Sequence, residues 1–582
     1  MTLESFFEKF DLFADAPDAV AKMRELVRHL AVEGKLVSQD PKDEPASDLI
    51  RRLEAARERL AAEQGVRPPK NVPALTSPDY PHDIPKSWQW CRIGHLAVVI
   101  DYGTSQKSDS DSSKVPIYRM GNIIGGRLVD ENLKYVDASI DDLPALYLKT
   151  HDILFNRTNS YELVGKTGIF TGRDNTATFA SYLIRIRLPD TLLLPTFFSL
   201  AMNAPYFRQT QIEPEIVQQC GQANFNGTKL ASTIVPLPPL AEQKRIVAKV
   251  DELMALCDRL EAQQQERETR YAALARASLA RFADAPTPAN LPFLFHPSYA
   301  IPPADLRKSI LTLAVQGKLV PQDSKDEPAE ELLSRNDERR CEAARRDHRA
   351  DEDNQPLLSG DDRWDIADTW SWRALTDLVL FVDYRGKTPA KLSSGVRLLT
   401  AKNVRKGQIN LSPEEFLSES EYHAWMTRGF PKAGDILFTT EAPMGNAAVV
   451  VLAERFALAQ RVICFQSYGA IDPDFLVLQI LSDQFQFILD KNGTGVTAKG
   501  IKASKLKRLP IAVPPLAEQR RIVAKVDQLT ALVDELETQL ATSRATAANL
   551  LSALVGELTG TVPSGKVSAS TSTGRRGRPK KS

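Results

Sequence analysis

A chain of 582 residues exceeds what one hydrophobic core organises, roughly 250 to 300 residues, so two or more large units are expected. Its 74 basic residues balance its 74 acidic ones, which removes global charge as a guide to partners and leaves the local distribution to decide. Cys91, Cys220, Cys257, Cys341 and Cys464 form no CxxC pair and so indicate neither a disulfide framework nor a zinc site. With no leader-type N-terminus and no apolar run near the roughly 18 residues that span a bilayer, the chain reads as cytoplasmic, with no membrane partner.

In chain order, a helix is expected over Ala19 to Val32, closed by Gly34, then a charged helix over Leu49 to Gln64. The Pro-rich connector RPPKNVPALTSPDYPHDIP marks a boundary. Beyond it, runs such as HLAVVI, DILF, KTGIF and LIRIRL read as strands separated by Gly, Asn and Ser turns, and PTFFSLAMNAPYFRQTQI reads as helical. PPLAEQKRIVAKVDEL (Pro238 to Leu253) opens a long helix, Pro239 suiting the first position because its missing N–H would be unpaired there.

The series then returns. AVEGKLVSQDPKDEPA from Ala31 recurs as AVQGKLVPQDSKDEPA from Ala314, Trp88 aligns with Trp370, DILF at Asp152 recurs at Asp435, and PPLAEQ at Pro238 recurs at Pro514. Four landmarks in the same order identify a tandem duplication. The copies nearly coincide in AVxGKLV and PPLAEQ and share only scattered matches between Trp88 and Pro236. Each unit therefore joins a shared helical frame to a private domain. Ile246, Val250, Leu253, Cys257 and Leu260, with Ile522, Val526, Leu529, Val533, Leu536 and Leu540, keep the 4,3 rhythm of a coiled-coil seam, and two equal copies favour helices that pack on each other.

The fold class expected is α+β, a pseudo-two-fold tandem repeat of two mixed α/β domains separated by a pair of long coiled-coil-like helices. Its segments are an N-terminal helical part (1–83), a first private domain (84–236), a central long helix (237–282), a linker with the second short helices (283–365), a second private domain (366–512), a distal long helix (513–560) and a basic tail (561–582), Ser/Thr/Gly-rich and expected to be disordered.

Catalysis finds no constellation. The Gly-Lys-Thr triplets at Gly165 and Gly386 lack the glycine five residues earlier that a phosphate loop needs, holding Ser160 and Phe381 instead. No HExxH or GxSxG occurs, and the seven histidines lack metal spacing, so no catalytic residue and no metal site is assigned. A duplicated chain without an active site reads as a reader or an organiser.

Lys and Arg exceed Asp and Glu only slightly in the private domains, 15 to 14 over 84–235 and 18 to 14 over 366–512, so the signal lies in local clusters. In the first domain these place Tyr102, Thr104, Lys107, Asn156, Arg157, Asn159, Tyr161, Lys166, Gln222, Asn224 and Lys229 together with glycine turns. In the second they place Tyr384, Arg385, Lys387, Thr388, Thr440, Asn446, Thr494, Lys499 and Lys502. Asn and Gln suit adenine edges, Arg and Lys suit guanine, and glycine-turn N–H groups suit phosphate, so double-stranded DNA is the expected partner. Two unlike domains on one frame would read two different words at a fixed separation. Two other readings stay open: a coiled-coil adaptor without DNA readout, and an enzyme acting on nucleic acid by itself.

The paired PPLAEQxRIVAKVD helices, the paired GKLVxQDxKDEPA segments and the strands AGDILF (Ala433 to Phe438) and THDILF (Thr150 to Phe155) resemble the specificity (S) subunits of Type I restriction-modification systems over nearly the whole chain. The resemblance implies that the private domains are target recognition domains and that the long helices form an antiparallel spacer. It also implies docking of two modification subunits, which carry S-adenosylmethionine and methylate adenine, and of ATP- and Mg2+-dependent restriction subunits; this chain itself would bind no cofactor. Glu242, Gln243 and Arg245, with their copies Glu518, Gln519 and Arg521, are the candidate docking residues, the alternative being that they cap and solubilise the helix start. An insertion within Leu253 to Leu260 is expected to lengthen the gap between half-sites. The tail's Arg576-Gly577-Arg578-Pro579 is read either as a minor-groove arm or as a generic basic extension.

Overall fold

The computed structural model describes residues 3–560 apart from 71, 77–79, 220–221, 286, 288, 297, 347–362, 385–389 and 496–498. The basic tail from Thr561 lies outside the described residues. The chain divides into two compact units, one of residues 1–266 with 543–582 and one of residues 267–542.

In the first unit, helix α1 (Ala19–Val32) forms because Val20, Met23, Leu26, Val27 and Leu30 recur on one face, and all five are buried. It stops at Gly34, whose φ of 70° is left-handed, and the next N–H, from Lys35, donates to the Leu30 carbonyl at 3.0 Å, satisfying an end-of-helix acceptor. A side chain at Gly34 would also meet Pro85, whose Cγ lies 2.4 Å from the Cβ position. Helix α2 (Ala46–Glu63) buries only a narrow edge, Ala46, Leu49, Leu53 and Ala61.

The private domain is built on a four-stranded antiparallel sheet of β1 (Val99–Tyr102), β2 (Ile153–Asn156), β3 (Thr167–Ile169) and β4 (Leu183–Arg187), in spatial order β1-β4-β2-β3. Helix α3 (Pro195–Met202) buries Phe197 and Phe198 in the core. The strand Gln89–Arg92 pairs with Ile234–Leu237, joining the beginning of the domain to its end. Helix α4 (Leu240–Asp284) follows, 45 residues long, which at about 1.5 Å per residue is roughly 68 Å.

The second unit repeats this order. It holds α5 (Pro303–Val315), closed by Gly317 at φ 72° with Lys318 donating to Leu313 at 3.0 Å, and the charged α6 (Ala329–Arg346). Its sheet, β5 (Val379–Asp383), β6 (Ile436–Thr439), β7 (Ala447–Val449) and β8 (Val462–Ser467), has the matching order β5-β8-β6-β7. Helix α7 (Pro473–Leu481) takes the place of α3, and α8 (Leu516–Thr559) that of α4.

Identical ladders carry different interiors. In the first unit fully buried Arg185 pairs with Asp101 at 2.5 Å, and Arg187 pairs with Asp152, the Asp of DILF, at 2.6 Å. The register puts Cys464 and Gln466 at the corresponding positions of the second unit, where Gln466 donates to Asp435 at 2.7 Å. The shared Asp does the same local work in both, accepting from the N–H three residues earlier, that of Lys149 or Lys432. What differs is whether a buried charge has to be neutralised there.

Each long helix begins in one unit and ends in the other. Ile246, Val250, Leu253 and Cys257 lie in the core of the first unit with Phe6, Phe13 and Met23, while Ala275 and Phe282 of the same helix lie in the core of the second with Leu306 and Ile310. Ile522, Val526, Leu529 and Val533 belong to the second core, and Ala547 and Leu551 to the first. The first four seam positions of each helix thus serve their own unit's core. Between the buried ends, residues 268–274 of α4 and 541–546 of α8 are exposed. The segment Leu253 to Leu260, expected to tolerate an insertion, includes Cys257 at 0% exposure, so lengthening has to be made in the exposed stretches instead.

Candidate nucleic-acid interface

The two most faithfully repeated motifs meet. Glu242, at the start of α4, accepts from the Trp88 indole at 2.9 Å and from Gln39 at 2.6 Å, and Arg245 forms a two-pronged pair with Asp43 at 2.7 and 3.3 Å. In the second unit Glu518 accepts from Trp370 at 3.0 Å and from Gln322 at 2.6 Å, and Arg521 pairs with Asp326 at 2.6 and 3.1 Å. Gln243 and Gln519 tie the helix start to the private domain, accepting from the N–H of Leu194 at 2.9 Å and of Asp472 at 2.7 Å.

This corrects the docking assignment for four of the six residues. Glu242, Gln243, Glu518 and Gln519 are at most 1% exposed and have no surface to offer a partner; only Arg245 and Arg521, each on an internal aspartate, are partly exposed. Burial pushes the Glu242 and Glu518 carboxyls above the usual carboxylate range, while the tryptophan and glutamine donors and the nearby arginine pull the other way. The PPLAEQ and GKLVxQDxKDEP motifs are therefore two sides of one internal clamp.

At the far side of the first sheet, Tyr102 ends β1 and Arg157 follows β2. The Arg157 guanidinium lies over the Tyr102 ring, 4.8 Å from its centre, and the Tyr102 hydroxyl accepts from the Gly227 N–H at 2.7 Å. One guanidinium nitrogen donates to the Ser181 carbonyl at 3.3 Å, while Arg157 Nε is buried without a partner. The short strand Thr158–Asn159 pairs with Gln222–Asn224, bringing Asn224 alongside, where it accepts from Thr158 at 2.5 Å. Tyr102, Arg157, Asn159 and Asn224 thus form one partly exposed cluster. Tyr182, which the sequence pattern does not single out, is 48% exposed and accepts through its carbonyl from the Arg157 N–H.

Other residues expected on this surface lie elsewhere. Asn156 is 1% exposed, inside the sheet, and Thr104 is buried and donates to Asp142; neither can reach a groove without unfolding its surroundings. Lys229 is neutralised by Glu215 at 2.9 Å, and Tyr161 lies under Arg208, which donates to its carbonyl at 2.7 Å. Lys166 lines a separate cleft beside Arg28, and Lys107 is exposed. The side chain of Gln222 lies outside the description.

In the second unit Arg385, Lys387 and Thr388 lie outside the described residues. Tyr384 is 3% exposed, its hydroxyl donating to Gly429 and accepting from Arg428; Thr440 and Asn446 are likewise buried, Asn446 donating to Val404 at 3.0 Å. Thr494, Lys499 and Lys502 are exposed, with Lys499 on Asp490 at 2.6 Å. Ile501 donates to the Thr440 carbonyl in the turn after β6 at 3.0 Å, as Phe225 donates to that of Arg157 at 2.9 Å. A late loop is bonded to the turn after the second sheet strand in both units, and different side chains stand on it.

Among the described residues this geometry presents donors, acceptors and an aromatic face. Burial raises the Cys91 thiol to about 12 and that of Cys257 to about 11, far from a reactive thiolate. Among the described residues no cluster of three or more His, Cys, Asp or Glu could hold a metal, and no helix is long and apolar enough to cross a membrane.

The chain is thus a duplicated frame that carries two topologically equal domains with unlike side chains at matching turns. The family model described as the Type I restriction modification DNA specificity domain matches residues 85–268 and 427–543, and the chain belongs to that family. Among curated relatives, the specificity subunits of the Type I restriction enzymes EcoAI and EcoEI of Escherichia coli are 26% and 25% identical to it, each alignment covering 94% of both chains. The crystal structure of the HsdS subunit from Thermoanaerobacter tengcongensis is 17% identical over 83% of this chain and 99% of that one, with a TM-score of 0.44. The chain is accordingly a DNA-sequence-recognition subunit of a restriction-modification assembly, non-catalytic and without a catalytic cofactor of its own.

Proposed function

We propose that the chain reads a bipartite, asymmetric DNA site, one half-site word per unit, through domains spanning 84–236 and 366–512, and that its long helices set the gap between the words. The observation that carries this reading is the repeated bond of the late loop to the turn after the second strand, Phe225 to Arg157 and Ile501 to Thr440, which supports different side chains at one position of one fold. In the first unit the reading residues are Tyr102, Arg157, Asn159 and Asn224, with Tyr182 beside them. Arg157, its guanidinium over the Tyr102 ring, suits the O6 and N7 of a guanine. In the second unit Lys499 and Lys502 stand on the exposed loop, and Arg385, Lys387 and Thr388 are carried over as candidates from the sequence.

Methylation and cleavage belong to partners: two modification subunits with S-adenosylmethionine, acting on adenine, and restriction subunits with ATP and Mg2+. Methylome sequencing of cells expressing the complete system tests the reading. A split methyladenine motif with two unlike words supports it. A continuous palindrome, or no motif dependent on this chain, overturns it.

A further inference from the structure

Because the two sheets share one topology, backbone bonds identify matching loop positions even where the residues differ. In the first unit the Arg157 N–H donates to the Tyr182 carbonyl at 3.1 Å, and Thr158 faces Asn224, whose other neighbour is Val217. In the second unit the Thr440 N–H donates to the Arg461 carbonyl at 2.9 Å, and Glu441 faces Gly500, whose other neighbour is Thr494. Arg157 therefore matches Thr440, Tyr182 matches Arg461, Thr158 matches Glu441 and Asn224 matches Gly500.

Between the units the cation has changed turns. Thr440 is buried and donates its hydroxyl to the Arg461 carbonyl at 3.3 Å, so the position that carries Arg157 in the first unit offers nothing outward in the second. Arg461, in the turn before β8, is exposed instead, and its φ of 76° is a left-handed conformation that suits glycine or asparagine. An arginine there costs backbone strain that no burial of its side chain offsets, and strain of this kind collects where a side chain serves a ligand. Its Nε lies 3.6 Å from a Glu441 carboxylate oxygen, beyond hydrogen-bond reach; with the two side chains 51% and 36% exposed, the pair contributes little to stability. Gly500 leaves room for the acid. A Cβ there would meet Glu441 Cγ at 3.3 Å, whereas in the first unit Asn224 holds this position and accepts from Thr158.

We propose that Arg461 and Glu441 are a base-reading couple of the second unit, directed at a G·C pair of the second half-site word. This deepens, and rests on, the reading of each unit as the reader of one word. Opposite charges side by side fit a base edge and not a phosphate, which would satisfy Arg461 and be repelled by Glu441. In the major groove guanine presents the acceptors O6 and N7 to a guanidinium, and cytosine presents the N4 donor to a carboxylate, so one G·C pair satisfies both side chains. An A·T pair in its place sets the adenine amino group against the guanidinium and the thymine O4 against the carboxylate, a mismatch at both ends. The first unit brings no acid to this position, so the requirement belongs to the second word alone.

The test uses the full chain in its complete system. Methylome sequencing first gives the wild-type motif; a continuous palindrome, or no motif, sinks the two-word reading itself before any variant is compared. Given a split motif, Arg461→Gly removes the guanidinium at a backbone conformation that glycine adopts without strain, and Glu441→Gln removes the charge at unchanged length. Each variant is expected to relax one G·C pair of the second word, sites with A·T there being methylated as well, while the first word and the gap stay as they are. In competition binding by the purified complex, preference for G·C over A·T at that pair should fall tenfold or more. Discrimination retained in either variant overturns the proposal, as does a wild-type second word without a G·C pair. So does a uniform loss of affinity across sequences with a shallower salt dependence, which marks Arg461 as a phosphate contact. Should Arg461→Gly lower the unfolding temperature, Glu441→Gln alone decides.

Discussion

Glu242 shows how a residue legible in sequence can be misread in role. Its repetition as Glu518 marks it as part of the frame, but the helical spacing of PPLAEQ does not state which face turns inward. The partners that decide this, Gln39 and Trp88, lie some 150 to 200 residues earlier and repeat just as faithfully as Gln322 and Trp370. Repeated doublets at equal offsets were the available sign of contact. Replacing Trp88 by Phe keeps the ring and removes the donor to a buried carboxylate, a loss of about 1 to 3 kcal/mol measurable by urea unfolding. The pH dependence follows from the raised carboxyl: its stabilising share is complete below the unfolded value near 4.5 and is lost as pH rises through the folded one. Glu242→Gln removes that loss, so its stability relative to wild type should climb with pH above 4.5; a difference independent of pH refutes the assignment. Arg157 belongs to this scale too. Arg157→Ala is expected to cost about 1 to 3 kcal/mol of specific DNA binding and to relax one base position of the first word only, read by competition with single-base variants of the site.

At the scale of elements, periodicity and terminators carried the helices, and the duplicated order carried the sheets. Helix α1 ends at the expected glycine because Gly34 alone fits both the left-handed turn and the contact with Pro85. Composition could not tell which polar loop residues point outward. The residues after the first and the second DILF are buried in both units: Asn156 lies inside the sheet, and Thr440 and Asn446 are spent on internal bonds. Nor did the seam pattern reveal that each long helix completes the core of the other half's unit. Leu551, 0% exposed, follows the first private domain by some 300 residues and still belongs to the first core with Leu26 and Leu30. Leu551→Ala should therefore cost about 2 to 5 kcal/mol in the first unit. Hydrogen exchange provides the check: protection should fall in α1 and stay in α5, and an equal fall in both contradicts the exchange of helix ends.

On the proposed reading the long helices act as a ruler, and the residues open to lengthening are two exposed stretches. Seven added residues make nearly two helical turns, about 10 Å, and leave the following side chains rotated by only about 20°. Placed in both 268–274 of α4 and 541–546 of α8, such an insertion leaves every buried seam residue in its own core, since these stretches are exposed and the buried positions resume at Ala275 and Ala547. DNA rises about 34 Å in ten base pairs, so the unspecified gap in the methylated motif should widen by about three base pairs. Both words should stay as they were, because the turns after β2 and β6 that support them are untouched. Methylome sequencing of cells carrying the lengthened chain reads both quantities at once, and an altered word beside an unaltered gap would mean that spacing and readout reside in the same residues.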